Sequence, residues 1–293
     1  MSNFILSCSS TVDLSKDYLE KRDIRYICFP YEIDGKDFKD DLGTTIPFHK
    51  FYDMIREGSD TKTSQINISE YLAYFEKLLG EGKDILHLDF SSGLSGSVNS
   101  AVNAANMLAE KYPDRKVVVI DSLCASSGHG LFVDKAADLR DEGMEFDELA
   151  RWLEENKLHL NHWFFSTTLK YYIKGGRVSK PAGYIGEVLG ICPLLHVDWA
   201  GKLVPMEKIR SKKKVKKRIV EKMIEHAYDG LNYSDKCFVS NSDCYEDAKE
   251  VADLIESTFP NLKGNVQIFD IGTIIGSHAG PGTVAVFFWG KDR

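Results

Sequence analysis

The first half of the chain alternates short β-rich runs with amphipathic stretches, and this alternation constrains the fold more than any other feature of the sequence. Apolar runs at 4–8, 85–90 and 117–120 predict strands, and helical spacing of apolar residues follows each of them. The run 117–120 is four β-branched residues, which is typical of a strand buried on both faces. Strands that alternate with helices predict βαβ units and a mainly parallel sheet.

The second half of the chain has a different order of elements. Runs at 193–199 and 202–209 flank Ala200-Gly201 and predict a β-hairpin. Further strands are expected at 236–240, 266–271 and 283–289, around a helix at about 245–258. This order predicts an α+β domain with a mixed or antiparallel sheet. The expected fold class is therefore α/β in two domains, an N-terminal α/β domain over 1–165 and a C-terminal α+β domain over 166–293.

Length, charge and cysteine usage exclude several classes of protein. The 293 residues suffice for about two domains, and 43% apolar with 28% charged residues is ordinary for a soluble globular chain. The net charge of −7 argues against nucleic-acid binding. No apolar run approaches the ~18 residues of a membrane span, so stable membrane insertion is not expected. The first residues lack a basic signal-peptide segment and the six cysteines form no Cys-x-x-Cys pair, which predicts a cytoplasmic protein with reduced thiols.

Small hydroxyl residues and glycines collect at four places where a predicted strand meets a helix or a loop. Ligands of open α/β sheets bind beyond the carboxyl ends of the strands, and helix N-termini there attract anions. Ser95 could cap the helix expected over 95–111 and also present its hydroxyl and nearby backbone N–H groups to a carboxylate or phosphate. Arg177 offers a fork of donors to an oxyanion, and His278 can donate or accept a hydrogen bond near neutral pH. The four clusters are Thr63-Ser64-Gln65, Ser91-Ser92-Gly93-Leu94-Ser95-Gly96-Ser97, Gly175-Gly176-Arg177 and Gly276-Ser277-His278-Ala279-Gly280-Pro281-Gly282-Thr283.

Each cluster also has a purely structural explanation. Thr63 and Ser95 can serve in turns and helix caps, as Ser and Thr do in most proteins, with Ser69 as the expected cap of the helix over 69–79. A solvated arginine explains Arg177 equally well. The segment 276–283 is expected to be a loop between two strands, and its three glycines, proline and histidine exceed what a hairpin connection needs. Function is therefore favoured most strongly at His278.

Several motifs that would indicate an enzyme are missing or incomplete. Neither G-x-x-x-x-G-K-[ST] nor G-x-G-x-x-G occurs, so no nucleotide cofactor is expected, and no cluster has the spacing of metal ligands. Ser95 lies in an incomplete G-x-S-x-G elbow, because Ser97 stands at the final glycine position. Asp121 and His278 follow in the order Ser, Asp, His. A serine esterase that uses Ser95 and His278 is therefore the alternative function.

The segment 210–218 carries seven Lys or Arg in nine residues, although the chain as a whole is acidic. A solvated helix face is one explanation, and a docking site for an acidic partner or a phosphate is the other. Arg210, just before the predicted helix, is suited to contact a phosphoryl group or a partner.

Together these clusters resemble the DegV family, bacterial fatty-acid-binding proteins that deliver acyl chains to a fatty acid kinase. The resemblance covers essentially the whole chain and rests on the four clusters and Asp121-Ser122 in this order. This chain departs from the family pattern at two places. Ile66 and Asn67 stand where the family usually has Pro and a hydroxyl residue, and Cys8-Ser9 stands where the family usually has Asp-Ser. These departures leave the preferred acyl chain open.

The resemblance implies two α/β domains with an acyl chain buried between or within them. It implies a long-chain fatty acid as ligand, no catalytic residue, no cofactor and no metal, with a separate fatty acid kinase as partner. The chain would then be a substrate carrier and not an enzyme. The residues implied to bind the carboxylate are Thr63, Ser64, Ser95, His278 and Arg177.

Overall fold

A computed structural model of the chain describes residues 3–179 and 190–293. Within these residues no helix is both long enough and apolar enough to cross a membrane. The strands are β1 Phe4–Ser9, β2 Ile24–Ile27, β3 Pro30–Ile33, β4 Lys36–Lys39, β5 Thr61–Thr63, β6 Asp84–Asp89, β7 Val117–Asp121, β8 Leu160–Ser166, β9 Ile191–Val197, β10 Leu203–Arg210, β11 Cys237–Asn241, β12 Val266–Asp270 and β13 Thr283–Trp289. The helices are α1 Lys16–Lys21, α2 Phe48–Glu57, α3 Ile68–Leu79, α4 Ser97–Lys111, α5 Ser126–Asp141, α6 Phe146–Asn156, α7 Lys170–Lys174, α8 Lys212–His226, α9 Tyr245–Thr258 and α10 Thr273–Ala279.

The N-terminal half forms the predicted parallel sheet, in the order β2-β1-β6-β7. Both central strands are almost entirely buried because helices or the second half of the protein cover each face. The strand β7 lies at the edge of the sheet and is only half-buried over most of its length, so the prediction that it is buried on both faces was wrong.

The C-terminal half forms a six-stranded mixed sheet in the order β10-β9-β8-β13-β11-β12, in which only β11 and β12 pair in parallel. The predicted hairpin is confirmed as β9 and β10. The strand β8 pairs with β13 and so belongs to this sheet, which therefore begins at Leu160. The division of the chain into domains at 165/166 stays a prediction. The almost fully buried helix α5 contacts strands of both sheets, so the two halves share one core.

A third, three-stranded antiparallel sheet, β4-β3-β5, was not predicted from the sequence. Its strands have three or four residues and β4 is rich in charge, so the alternation of apolar and polar residues is too short to detect. The dipeptide Asp34-Gly35, in which both residues have positive φ, is typical of a hairpin turn and could have indicated the strands β3 and β4. This small sheet matters because Thr63 is the last residue of β5.

The helices differ from the predictions at their starts and in one loop. Asn67, not Ser69, caps α3, through a capping box with Glu70. The helix α1 begins at Lys16 and is capped by Ser15, whose side chain accepts the Tyr18 N–H. The segment 276–283 was predicted to be a loop, but its first four residues complete α10. The helix was not predicted because it contains a glycine, Gly276. Glycine is required at this position because a Cβ would lie 2.6 Å from the Tyr52 hydroxyl.

Candidate functional site

A cavity of about 240 Å³ lies where the carboxyl end of the parallel sheet meets β5, α10 and the second sheet. Its wall is predominantly apolar, and Arg177 is the only Lys, Arg, Asp or Glu among the described residues that line it. Hydroxyl, imidazole and guanidinium groups gather at one part of the wall. The apolar lining residues are Phe29, Phe90, Leu94, Ala125, Phe164, Val197, Leu203, Ile271, Ile274, Ile275, Ala279, Ala285 and Phe287.

Thr63 and His278, which are 215 residues apart in sequence, form a hydrogen bond of 2.7 Å between Oγ1 and Nε2. The other ring nitrogen, Nδ1, is buried and has no partner among the described residues. It packs against Gly175, where an added Cβ would lie 2.1 Å away. A proton on Nδ1 would have no acceptor, so we assign the proton to Nε2, which donates to Thr63. The Thr63 hydroxyl hydrogen is then free to donate into the cavity.

The imidazole of His278 is neutral at pH 7. Burial, and then the charge of Arg177, lower its pKa to about 4. The neutral ring orients Thr63 through its hydrogen bond.

Ser95 lies in the turn before α4 and lines the cavity. Its Oγ accepts the Ser97 N–H at 3.3 Å and lies 3.2 Å from the Ser97 hydroxyl. The N-cap of α4 is Gly96, so the expectation that Ser95 occupies the cap position was wrong. A Cβ at Gly96 would lie 2.1 Å from the Gln65 amide oxygen, which is the end of an exposed side chain that can move aside. Ser64 lines the same cavity beside Thr63.

Among the described residues, the half-buried guanidinium of Arg177 binds only main-chain oxygens. Its Nη1 donates to the Gly175 carbonyl at 2.6 Å and its Nη2 donates to the Leu94 carbonyl at 3.0 Å. No carboxylate among the described residues lies within ion-pair distance of it. Burial lowers its pKa, yet a guanidinium stays charged in proteins. A half-buried cation that has no carboxylate partner among the described residues favours an anionic ligand in the cavity.

The structure thus brings together all five residues implied to bind the carboxylate. Arg210 is separate from them. It lies at the far end of β10 from Leu203, about 24 Å along the strand, and does not line the cavity. The side chain is exposed, so it is available to a partner, but this position does not support contact with a phosphoryl group at the cavity.

The basic segment 210–218 is partly neutralised within the protein. Lys212 and Lys216 pair with Asp247, and Arg218 pairs with Glu207 and Glu225. Four exposed cations of this segment have no carboxylate partner among the described residues. They are Arg210, Lys213, Lys214 and Lys217, which we call the basic surface.

Three polar side chains line the cavity but were not predicted, since each comes from an element without a recognisable motif. Their hydrogen bonds are already made inside the protein. The Ser126 hydroxyl donates to Asp13 at 2.5 Å, His162 Nδ1 lies 3.0 Å from the Leu160 carbonyl, and the Tyr172 hydroxyl lies 3.0 Å from Thr283 Oγ1. They therefore demand no polar group from a ligand and suit an apolar chain.

The esterase alternative requires a Ser-His-Asp chain of hydrogen bonds, and the structure does not assemble one. His278 Nε2 bonds Thr63 and not Ser95. The Asp121 carboxylate accepts the N–H groups of Ser92 and Leu123 and does not contact His278. Over residues 3–179 and 190–293, no group of three or more His, Cys, Asp or Glu could hold a metal ion.

The chain is similar to a family of known proteins over nearly its whole length. The model of a family described as "Uncharacterised protein, DegV family" matches residues 8–291. A DegV domain-containing protein of Clostridium perfringens is 37% identical over 293 residues, which is 100% of this chain and 99% of the relative. One of Lactococcus lactis is 32% identical and covers 97% and 96% of the two chains.

Solved structures with the same fold include proteins described as binding lipids. A DegV lipid binding protein of Thermotoga maritima has a TM-score of 0.84 at 28% identity, covering 99% of both chains. A second protein of that organism, described as revealing a fatty acid binding function, has a TM-score of 0.83 at 29% identity over 99% and 100% of the chains. DegV of Bacillus subtilis, described as a fatty acid binding protein, scores 0.83 at 26% identity over 99% and 100%. The predicted α/β fold class is confirmed, and the chain belongs to the DegV family.

Proposed function

We propose that this protein binds a long-chain fatty acid and presents its carboxyl group to a separate fatty acid kinase for acyl-phosphate formation. The carboxylate is held by Thr63, Ser64, Ser95 and Arg177, with His278 beside them, and the acyl chain fills the apolar part of the cavity. The observation that carries the proposal is a predominantly apolar cavity whose wall includes hydroxyl donors and a guanidinium that has no carboxylate partner among the described residues.

The two ends of the ligand contribute differently to the free energy of binding. Burial of an acyl chain contributes about 0.8 kcal/mol per CH₂, so roughly fourteen methylenes contribute ~11 kcal/mol before the costs of association. A charge-assisted hydrogen bond adds only about 1.5–3 kcal/mol. The acyl chain therefore dominates the affinity, while the polar end selects and orients a carboxylate. Such a site needs neither a nucleophile nor a metal.

The protein is expected to purify with a long-chain fatty acid bound, because an apolar cavity of this kind is unfavourable to fill with water. Mass spectrometry of small molecules released from the denatured protein identifies the ligand. Binding affinity is then measured by titration of the emptied protein with a fatty acid and, for comparison, with the methyl ester of the same chain length. Release of no acyl species, together with no saturable binding of fatty acid, would refute the proposal.

We further propose that the kinase docks on the basic surface. Its four cations are exposed and unpaired among the described residues, so they can attract an acidic partner.

Because phosphorylation would use cytoplasmic ATP, the proposed location is the cytoplasm, in line with six cysteines that are all free.

Reversal of Lys213, Lys214 and Lys217 to Glu is expected to slow acyl-phosphate formation by a bacterial fatty acid kinase at least about tenfold at low salt, while fatty-acid affinity is retained. Lys212 and Lys216 are left unchanged because their ion pairs hold α8 to α9. The control reverses Lys36, Lys50 and Lys263, three exposed lysines elsewhere, and carries the same change in charge. Equal rates in both variants would contradict docking at this surface.

A further inference from the structure

Two neighbouring strands of the second sheet, β8 and β13, form one wall of the cavity, and the cavity ends part-way along them. Alternate residues of β13 line it, namely Thr283, Ala285 and Phe287, because alternate side chains of a strand share one face. Trp289 is the next residue on that face. It packs against side chains of α5 and α6 and does not line the cavity. The boundary of the cavity on this wall is therefore Phe287.

His162 on β8 lies opposite Phe287 and also lines the cavity. The two buried rings meet edge to face, with centroids 5.2 Å apart and planes at 83°. Both imidazole nitrogens are already bonded to the main chain, since Nδ1 donates to the Leu160 carbonyl at 3.0 Å and Nε2 accepts the Ala125 N–H at 3.4 Å. The imidazole therefore serves the cavity as an apolar wall. We call His162 and Phe287 the end pair.

The helix α5 passes directly behind the end pair at Gly128. A Cβ added there would lie 2.3 Å from His162 Nε2 and 2.5 Å from Phe287 Cδ1. The main chain of this buried helix is held by its packing, so the two rings cannot retreat from the cavity. The end pair is therefore a fixed boundary, and its position depends on the absence of a side chain at Gly128.

The end pair lies well away from His278. The Tyr172 hydroxyl lies 3.0 Å from Thr283 Oγ1, and Gly175, on the same helix α7, contacts the His278 imidazole. Thr283 therefore marks the end of the wall that is nearer to His278. Phe287 follows four residues later, about 14 Å further along β13. An acyl chain whose carboxylate is held beside His278 and which follows this wall meets the end pair with its methyl end.

We propose that His162 and Phe287, backed by Gly128, form the stop against which the methyl end of the acyl chain rests, and that they set the longest chain that the cavity accepts. This inference rests on the proposed function and deepens it, since it names the feature of the fatty acid that the cavity selects. Each methylene buried in the cavity raises affinity about fourfold, whereas a methylene beyond the stop has no space to occupy. Affinity is therefore expected to rise with chain length up to one value and then to level off or fall.

The test is a titration of the full chain, emptied of ligand, with saturated fatty acids of increasing length. Gly128→Ala pushes both rings into the cavity and is expected to move the break in affinity about one or two carbons toward shorter chains. The acids that lose their fit should bind about 4- to 15-fold more weakly, while shorter acids bind as before. Phe287→Leu removes the aromatic ring and is expected to move the break toward longer chains by a similar amount.

Gly130→Ala is the matched control, two residues further along α5. A Cβ there would lie 2.6 Å from the Val12 carbonyl oxygen and 2.8 Å from Leu14 Cγ, and neither residue lines the cavity. This variant is expected to lose stability, as Gly128→Ala does, and to keep the break at the wild-type length.

If Gly128→Ala fails to fold, Phe287→Leu alone decides the matter. Wild-type protein that binds no fatty acid would overturn both the proposed function and this inference. Normal wild-type binding with a break that Phe287→Leu leaves in place, or a loss in Gly128→Ala that is equal for every chain length, would overturn the inference alone.

Discussion

Gly175→Ala is expected to weaken fatty-acid binding about 10- to 100-fold, although alanine suits the backbone at this position. Gly175 has φ −77° and ψ −6°, an ordinary helical conformation. The added Cβ would lie 2.1 Å from His278 Nδ1 and 3.0 Å from Cε1, so the imidazole must move. Movement breaks its 2.7 Å bond to Thr63 and displaces the hydroxyl that faces the ligand. The dissociation constant is measured by titration of the emptied protein with fatty acid.

Gly176→Ala is the matched control for this prediction. Gly176 has a φ of 72°, where an L side chain costs about 1–2 kcal/mol, but a Cβ there meets no atom within 4 Å. This variant is expected to lose stability in a denaturant titration and to keep its affinity. Gly175→Ala also loses stability, by about 1–3 kcal/mol from overpacking, but it alone loses affinity. Equal affinities in the two variants would show that the position of His278 does not matter to the ligand.

The parallel half of the fold could be predicted because its strands are runs of apolar residues followed by helices with regular apolar spacing. The runs at 4–8 and 85–90 became the buried central strands β1 and β6. Where local sequence is ambiguous, the prediction failed. The short charged strand β4 and the glycine-containing helix α10 carry no period long enough to detect, and tertiary contacts alone stabilise them.

The candidate site residues were found as motifs, but their geometry was not predictable. Thr63 and His278 bond across 215 residues, from an unpredicted strand and an unpredicted helix. No local pattern reports the contact of Gly175 with the imidazole, or that of Gly128 with His162, since both depend on how separate elements pack. The sequence shows seven cations in 210–218 but not their partners. The acidic residues that neutralise three of them lie on other parts of the chain or later in α8.

Thr63→Val is expected to lower fatty-acid affinity about 10- to 100-fold, because one isosteric change removes two hydrogen bonds at once. The ligand loses the Thr63 donor. His278 loses the acceptor for its Nε2–H, and since its Nδ1 already has no partner, the buried ring would then have none among the described residues. An unsatisfied buried donor costs about 1–3 kcal/mol, so the free energy of unfolding should also fall. Titration with fatty acid and denaturant unfolding measure the two effects separately.

Thr63→Ser is the control, since serine keeps the hydroxyl that accepts from His278 and donates to the ligand. It is expected to stay within about threefold of the wild-type affinity. The methyl ester of the same fatty acid supplies a second comparison, because it lacks the negative charge that strengthens the Thr63 hydrogen bond. Thr63→Val should therefore weaken binding of the acid more than binding of the ester. An equal loss for acid and ester, or a loss in Thr63→Ser as large as in Thr63→Val, would place the role of Thr63 in packing and not in recognition of a carboxylate.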